Sequence, residues 1–247
     1  MSVYQHDSVV PFDDSKDGKK KQVEEMFDRI ANRYDFLNRF LSARIDVLWR
    51  KKAINLLRSQ HPKQILDVAT GTGDVAILTY KLLTPENIIG IDISEGMINV
   101  GKDKIKKLGW DKSIRLEKGD SETINYPDNS FDAVTVAFGV RNFENLEKGL
   151  SEIKRVLKPG GQFVVLEFSK PSMPVFKQLY RFYMDAVTPF VVNIFSKNKT
   201  AYKYLNESVK KFPEGKTFLN ILNKVGFIKT SQIKLTLGIC SIYCGRK

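Results

Sequence analysis

Three features of this 247-residue chain predict an α/β fold, a doubly wound and mostly parallel sheet of seven strands. Apolar runs alternate with amphipathic segments from residue 64 to 168, the pattern of successive βαβ units. The first run, Gln64-Ile65-Leu66-Asp67-Val68-Ala69, leads through Thr70-Gly71-Thr72-Gly73-Asp74 into an amphipathic segment, so a buried strand feeds a glycine turn at a helix N-terminus. Two β-rich runs, 226–236 and 239–245, divide at Leu237-Gly238 and read as an antiparallel pair that closes the sheet.

Each element follows in order. Residues 1–18, rich in Asp, Ser, Gly and Lys, read as a flexible tail. The remainder, 19–247, reads as one domain that begins with helices over 19–58. Val23, Met26, Phe27 and Ile30, then Leu48, Ala53 and Leu56, recur at helical spacing and place two helices near 19–32 and 37–58. Strands are expected at 64–69, 88–93, 113–117, 132–138 and 162–168, with helices at 74–83, 95–107 and 144–157. Lys158-Pro159-Gly160-Gly161 is a helix stop and a tight turn into the fifth strand. A mostly helical insertion, 170–216, opens at Pro171 and Pro174 and is expected to line the substrate slot and face a membrane; a helix near 216–225 precedes the final pair.

Hydrophobic content of 42% and charged content of 28% are those of an ordinary globular domain. Met1 to Gln22 contains neither an apolar h-region nor an Arg-rich, acid-poor presequence. The longest apolar stretch, Ala186 to Phe195, is broken by Pro189 and Asn193 and is too short to span a bilayer, so a cytoplasmic location is expected. Cys240 and Cys244 lie about 13 Å apart along a strand and cannot bridge each other. With His6 and His61 far off in sequence, they make no metal site. The net charge of +12 is uneven: residues 170–247 carry 14 Lys+Arg against 3 Asp+Glu. Phe176, Leu179, Tyr180, Phe182, Tyr183, Phe190, Phe195, Tyr202 and Tyr204 lie in the same third. Basic and greasy together suit an anionic membrane surface, basic and aromatic suit nucleic acid, and a solvated lysine-rich surface over a plain core suits both counts.

The acids around the glycine turn narrow the cofactor. A dinucleotide pyrophosphate needs bare N–H groups and a positive helix end, and Asp74 directly after the second glycine opposes it. S-adenosylmethionine (SAM) carries an ammonium and a sulfonium instead, and carboxylates suit both. Asp92 ends the second strand nineteen residues after Gly73, where a carboxylate accepts from both ribose hydroxyls. Asp120, beside Ser121 after the third strand, is placed for the adenine amino group, and Met97 for the adenine face. Against this, Ala76 completes a tolerable Gly-x-Gly-x-x-Ala for NAD, and acids at strand ends also serve as helix caps.

Three segments are more specific. Tyr34-Asp35-Phe36-Leu37-Asn38-Arg39-Phe40-Leu41-Ser42 with Trp49, then Phe138-Gly139-Val140-Arg141-Asn142-Phe143, then Arg155-Val156-Leu157-Lys158-Pro159-Gly160-Gly161 through Glu167-Phe168-Ser169, resemble the quinone C-methyltransferases of the UbiE/MenG type. The resemblance runs from about residue 22 to Tyr243-Cys244-Gly245. It implies a Rossmann-like class I SAM-dependent methyltransferase that methylates a ring carbon of a prenylated quinol. The naphthoquinol, demethylmenaquinol, is favoured and the benzoquinol of ubiquinone synthesis is the alternative. It also implies peripheral contact with the inner face of an anionic membrane, and leaves homodimerisation open. The chain departs from the family at Asp46, where a His often stands, and Leu37 replaces a Met.

Such chemistry needs a base, a cation for the phenolate and a dry slot for the ring. Arg141, at the end of the fourth strand, is the candidate cation; a structural salt bridge to a strand-end acid is its other reading. Asp46 is the candidate proton acceptor, and Tyr34 with Asp35 closes over the site. Asp67, Gly71, Thr72, Gly73, Asp92, Met97, Asp120, Ser121 and Asn142 are expected to hold the cofactor. A nucleic-acid methyltransferase is disfavoured, because Phe138-Gly139-Val140-Arg141 stands where amine methylases of bases carry Asn/Asp-Pro-Pro-aromatic. A non-catalytic SAM-binding adaptor is disfavoured by the intact glycines and acids.

Overall fold

The computed structural model describes residues 4–171, 178 and 199–247. Its sheet has seven strands in the order β3-β2-β1-β4-β5-β7-β6. These are β1 (Gln64–Val68), β2 (Asn87–Asp92), β3 (Ile114–Lys118), β4 (Phe131–Ala137), β5 (Leu157–Phe168), β6 (Ile228–Leu235) and β7 (Cys240–Arg246). The first five pair in parallel, while β7 is antiparallel to both β5 and β6. The chain leaves β1 in one direction to reach β2 and returns past it to reach β4. The crevice between the β1 and β4 ends is therefore the switch point at which such sheets bind ligands.

Seven helices are described: α1 (Lys19–Leu41), α2 (Ile45–Asn55), α3 (Asp74–Leu83), α4 (Glu95–Leu108), α5 (Leu146–Val156), α6 (Lys199–Lys211) and α7 (Lys216–Val225). Leu146, Leu150 and Ile153 of α5 and Phe218 and Leu222 of α7 bury one sheet face with Leu66, Val134 and Phe163. Ala53 of α2, Ala76 of α3 and Ile98 and Ile105 of α4 bury the other with Ile65, Ala133 and Val164. Side chains cap two helices: Ser94 Oγ accepts from Met97 N at 3.2 Å, and Asn145 Oδ1 from Lys148 N at 3.0 Å. Each satisfies an N–H that the helix itself cannot.

Two expectations change. The N-terminal helices do not part near residue 33: α1 runs unbroken for 23 residues, and the break falls at Ser42–Arg44, where Ala43 and Arg44 take left-handed φ of 47° and 63°. No Gly or Pro marks that break, so the sequence conceals it. Residues 4–18 also do not hang free. His6 and Val9 are buried, the Lys19 ammonium donates to the His6 carbonyl at 2.8 Å, and Phe12 N donates to Gln22 Oε1 at 2.8 Å. Of the expected insertion, α6 is described. Phe176, Leu179, Tyr180, Phe182, Tyr183, Phe190 and Phe195 lie outside the described residues. Among the described residues no helix is long and apolar enough to cross a membrane, and no His, Cys, Asp and Glu cluster could hold a metal.

Candidate active site

Backbone strain gathers at the switch point. Ala69 and Phe138, the residues just beyond β1 and β4, hold φ of 53° and 59°, a region that costs a residue with a Cβ. Gly71 and Gly73 follow at 55° and 75°, which glycine tolerates freely. Gly139 serves closeness instead, since a Cβ there would lie 2.5 Å from that of Ala69. The two strand ends can therefore approach, and the crevice between them is narrow and fixed.

Two cavities meet there. The first, about 650 Å³ out to its mouth, is walled by Gly71, Asp92, Met97, Asp120, Ser121 and Asn142, with Lys20, Val23, Phe27 and Tyr34 of α1 across from them. Asp92 is its anchor: Oδ2 accepts from Gly71 N at 2.8 Å and Oδ1 from Ser94 N at 2.9 Å. Burial lifts its pKa to about 6, against the pull of those N–H groups. Asp120, Glu122 and Glu144 add acid to the same wall. Lys20 sits among them, its Nζ 2.7 Å from Asp120 and 3.4 Å from Glu122. An acid-rich wall with Met97, Phe27 and Phe143 for an aromatic base fits SAM and repels a pyrophosphate.

Three expected cofactor ligands are placed elsewhere. Asp67 lies behind the turn, where it accepts from Thr70 Oγ1 and Thr135 Oγ1, each at 2.6 Å. Thr72 Oγ1 donates to Asp35 Oδ1 at 2.6 Å, and Gly73 opens α3. These residues shape the turn and do not wall the cavity. Asp74 too differs from its expected part: its carboxylate is taken by Lys104 and by Arg39, the latter at 3.0 Å. The charge that excludes a pyrophosphate comes from Asp92, Asp120, Glu122 and Glu144 instead.

The second cavity, about 1680 Å³ out to its mouth, is mainly apolar. Met26, Ile30, Trp49, Phe168, Tyr204 and Ile239 are among the residues that line it. Phe138 and Phe168 rings lie 4.6 Å apart, with Trp49 6.4 Å from Phe168. Among the described residues three charged groups break this surface: Asp46, Arg50 and Arg141. Asp46 accepts from Ser42 Oγ at 2.6 Å and pairs with Arg50. Arg141 pairs through Nη1 with Glu167 Oε1 at 2.8 Å, and the same nitrogen donates to the Phe138 carbonyl at 2.5 Å. Arg141 is thus held in a strand-end salt bridge while it also lines the cavity. Burial raises the Glu167 carboxyl despite Arg141. The Nε atoms of Arg50 and Arg141 are buried and find no hydrogen-bond partner among the described residues.

Phe27, Tyr34 and Phe138 belong to both cavities and form the wall between them. Burial raises the Tyr34 phenol. Asn142 faces the first cavity while its Oδ1 accepts from Tyr204 OH at 3.1 Å. The sequence reading did not single out Arg50 as functional, although Asp46 and Arg50 stand one helical turn apart, the spacing of an ion pair. It also missed Phe27, whose apolar position looks like plain core, whereas Tyr204 lies in the insertion expected to line the substrate slot.

The ubiE/COQ5 methyltransferase family matches residues 15–247. The chain is 49% identical over 245 residues to a demethylmenaquinone methyltransferase of Bacteroides fragilis, covering 99% of each. It is 45% identical to the ubiquinone/menaquinone biosynthesis C-methyltransferase UbiE of Geobacter sulfurreducens, covering 93% of this chain and 90% of that one. A SAM-dependent methyltransferase of Thermotoga maritima superposes with a TM-score of 0.63 at 20% identity, covering 91% of this chain and 99% of that one, a likeness of fold alone.

Proposed function

Because this chain belongs to the ubiE/COQ5 methyltransferase family, we propose that its paired cavities methylate a ring carbon of demethylmenaquinol. It is a SAM-dependent C-methyltransferase. One observation supports the reading above others: an acid-walled cleft and a large apolar cavity share Phe27, Tyr34 and Phe138. A prenylated ring and an adenosyl cofactor can each fill one side with their reacting ends at that wall.

When bound, SAM supplies an electrophilic methyl group for the ring carbon. Asp92 holds the ribose hydroxyls, Asp120 and Ser121 the adenine edge, Met97 the adenine face, and Asn142 the end nearest the quinol. The chain must then make a poor carbon nucleophile reactive. A phenol near pKa 10 and a carboxylate near 4 differ by about six units, roughly 8 kcal/mol against proton transfer. Arg141 and Arg50 narrow that gap by setting guanidinium charge on the cavity wall beside the developing phenolate. Asp46 takes the phenolic proton, and Tyr34 keeps ring and cofactor in register. After the new bond forms, the ring carbon's own proton passes to solvent and Asp46 returns the phenolic proton to the ring oxygen, which restores the aromatic quinol.

The substrate's prenyl tail and the basic C-terminal third together support peripheral binding to an anionic membrane. Single-turnover methylation of a short-chain demethylmenaquinol, with the matching benzoquinol in parallel, tests the reading. Faster turnover of the benzoquinol would reassign the substrate, and turnover of neither would overturn the function.

A further inference from the structure

We infer that the elbow between α1 and α2, with the turn between β6 and β7, is the face by which this protein docks on an anionic lipid bilayer. This rests on the prenylated-quinol reading of the site and places the contact at the α1–α2 elbow together with one turn, β6–β7, of the basic C-terminal third. Among the described residues seven large hydrophobic side chains are exposed, and five belong to this face: Phe36, Phe40, Ile45, Leu48 and Leu237. Leu48 is 62% exposed and Leu237 51%. A hydrogen bond of 2.8 Å from Trp49 Nε1 to Thr236 Oγ1 ties α2 to the β6–β7 turn, so Leu237 stands beside the helix that carries Leu48. The Phe36 and Phe40 rings stack at 6.0 Å on the last turns of α1. So large an apolar cluster on a surface marks a contact site.

Two observations name the occupant. The patch is continuous with the apolar cavity, since Leu41, Ala43, Ile45, Thr236 and Ile239 line that cavity at the same elbow. A prenyl tail leaving the cavity here would enter whatever covers the patch, and hydrocarbon is the medium that suits it. The charge also has one sign. From residue 32 to 52 the exposed charged side chains are Arg33, Arg44, Lys51 and Lys52, all basic. The acids of that stretch, Asp35 and Asp46, are turned inward onto Lys104 and Arg50. Arg33, Phe36 and Phe40 share a face of α1, and Ile45, Leu48 and Lys52 share a face of α2, each set at i, i+3, i+7. Apolar side chains flanked by cations are the pattern of an interfacial element on acidic lipid.

The test uses the full chain and vesicles of phosphatidylglycerol or of phosphatidylcholine. The parent should co-sediment with the first in preference to the second. Leu48→Asp with Leu237→Asp should cut sedimentation on phosphatidylglycerol by at least about tenfold. Lys51→Gln with Lys52→Gln should reduce the preference for phosphatidylglycerol. Neither pair touches a cavity wall, so methylation of a short-chain demethylmenaquinol in solution should be unchanged, while methylation of a long-chain quinol in vesicles should fall with sedimentation. If the aspartate variant sediments as the parent does, the docking face is wrong although the enzyme reading stands. If that variant instead splits a self-associated species and leaves vesicle binding alone, the face joins copies of the chain and the inference is overturned. Failure of the parent on the soluble quinol would count against the site's function, whatever the sedimentation shows.

Discussion

Removing Arg141 separates the chemistry from the fold only if Glu167 is changed with it. Glu167 is fully buried and its carboxylate faces Arg141 Nη1 at 2.8 Å. Arg141→Ala alone leaves that charge without its partner, and breaking a buried pair on one side costs about 3–5 kcal/mol. Loss of rate in that variant could then reflect an unfolded fraction. Arg141→Ala with Glu167→Gln removes both charges, and most of the stability should return, because replacing a whole buried pair is often close to neutral. The rate should not return. A missing donor to a developing anion costs about a hundredfold to a thousandfold in kcat. Arg141→Lys should fall between, since lysine keeps the charge but loses the planar donor set. The assay is single-turnover methylation of a short-chain demethylmenaquinol at saturating SAM, with urea unfolding and calorimetric SAM binding on each variant. A double variant that is folded, binds SAM and methylates at the parent rate would refute the phenolate role and leave Arg141 a structural ion.

The remaining predictions concern the other ionisable groups. Asp92→Ala should weaken SAM by at least about tenfold, since charge-assisted hydrogen bonds are worth about 1.5–3 kcal/mol each; a calorimetric preference for NAD over SAM would sink the cleft assignment. Asp92 in the parent has a pKa lifted to about 6, so the carboxylate is lost as pH falls through that value, and the SAM Kd should rise about tenfold from pH 7.5 to 5. Asp46→Asn should lower kcat by about 10² or more while leaving SAM affinity alone; an unchanged rate and pH profile would remove it as the base. His6 is buried with its pKa lowered to about 3, so the unfolded chain takes up a proton near 6.5 that the folded chain refuses. Stability from this residue is therefore lost as pH falls below 6.5, by about 2 kcal/mol between pH 7 and 5. Because Asp92 and Asp67, both raised to about 6, act in the opposite sense, the readout is the difference between the parent and His6→Phe in urea unfolding at the two pH values.

The sheet was legible because its signals are local. Alternating runs, glycines at the turn and an acid at the end of β2 need no knowledge of distant residues. Of the three expected cofactor residues that lie off the cavity wall, two are held there by contacts across the fold. Asp67 and Thr72 look like ligands by position, yet Thr135, 68 residues from Asp67, and Asp35, 37 residues before Thr72, use their side chains. Periodicity likewise suggested α1 and α2 but not where one ends, since Ala43 and Arg44 adopt left-handed backbone without a glycine. Polar composition made residues 4–18 look free, whereas His6 packs edge-on at 5.6 Å to the Phe212 ring just past α6.

These long-range contacts make α1 the element through which the two ligands bear on each other. One stripe of the helix meets the cofactor half of the fold by polar contacts: Lys20 with Asp120, Glu24 with Lys118, Asp28 with Ser94 and Gly96 N, Asp35 with Thr72 and Lys104, and Arg39 with Asp74. Exposed pairs of this kind contribute about 0–1 kcal/mol each, so no single one fixes the helix. Its other stripe, Met26, Ile30 and Asn38, lines the quinol cavity, and Phe27 and Tyr34 reach both. Val23 and Met26 also bury the helix against Val9, Ala201 and Tyr204. That packing holds Phe27 and Tyr34 in the wall between the two cavities, where they meet Phe138 at the strained end of β4.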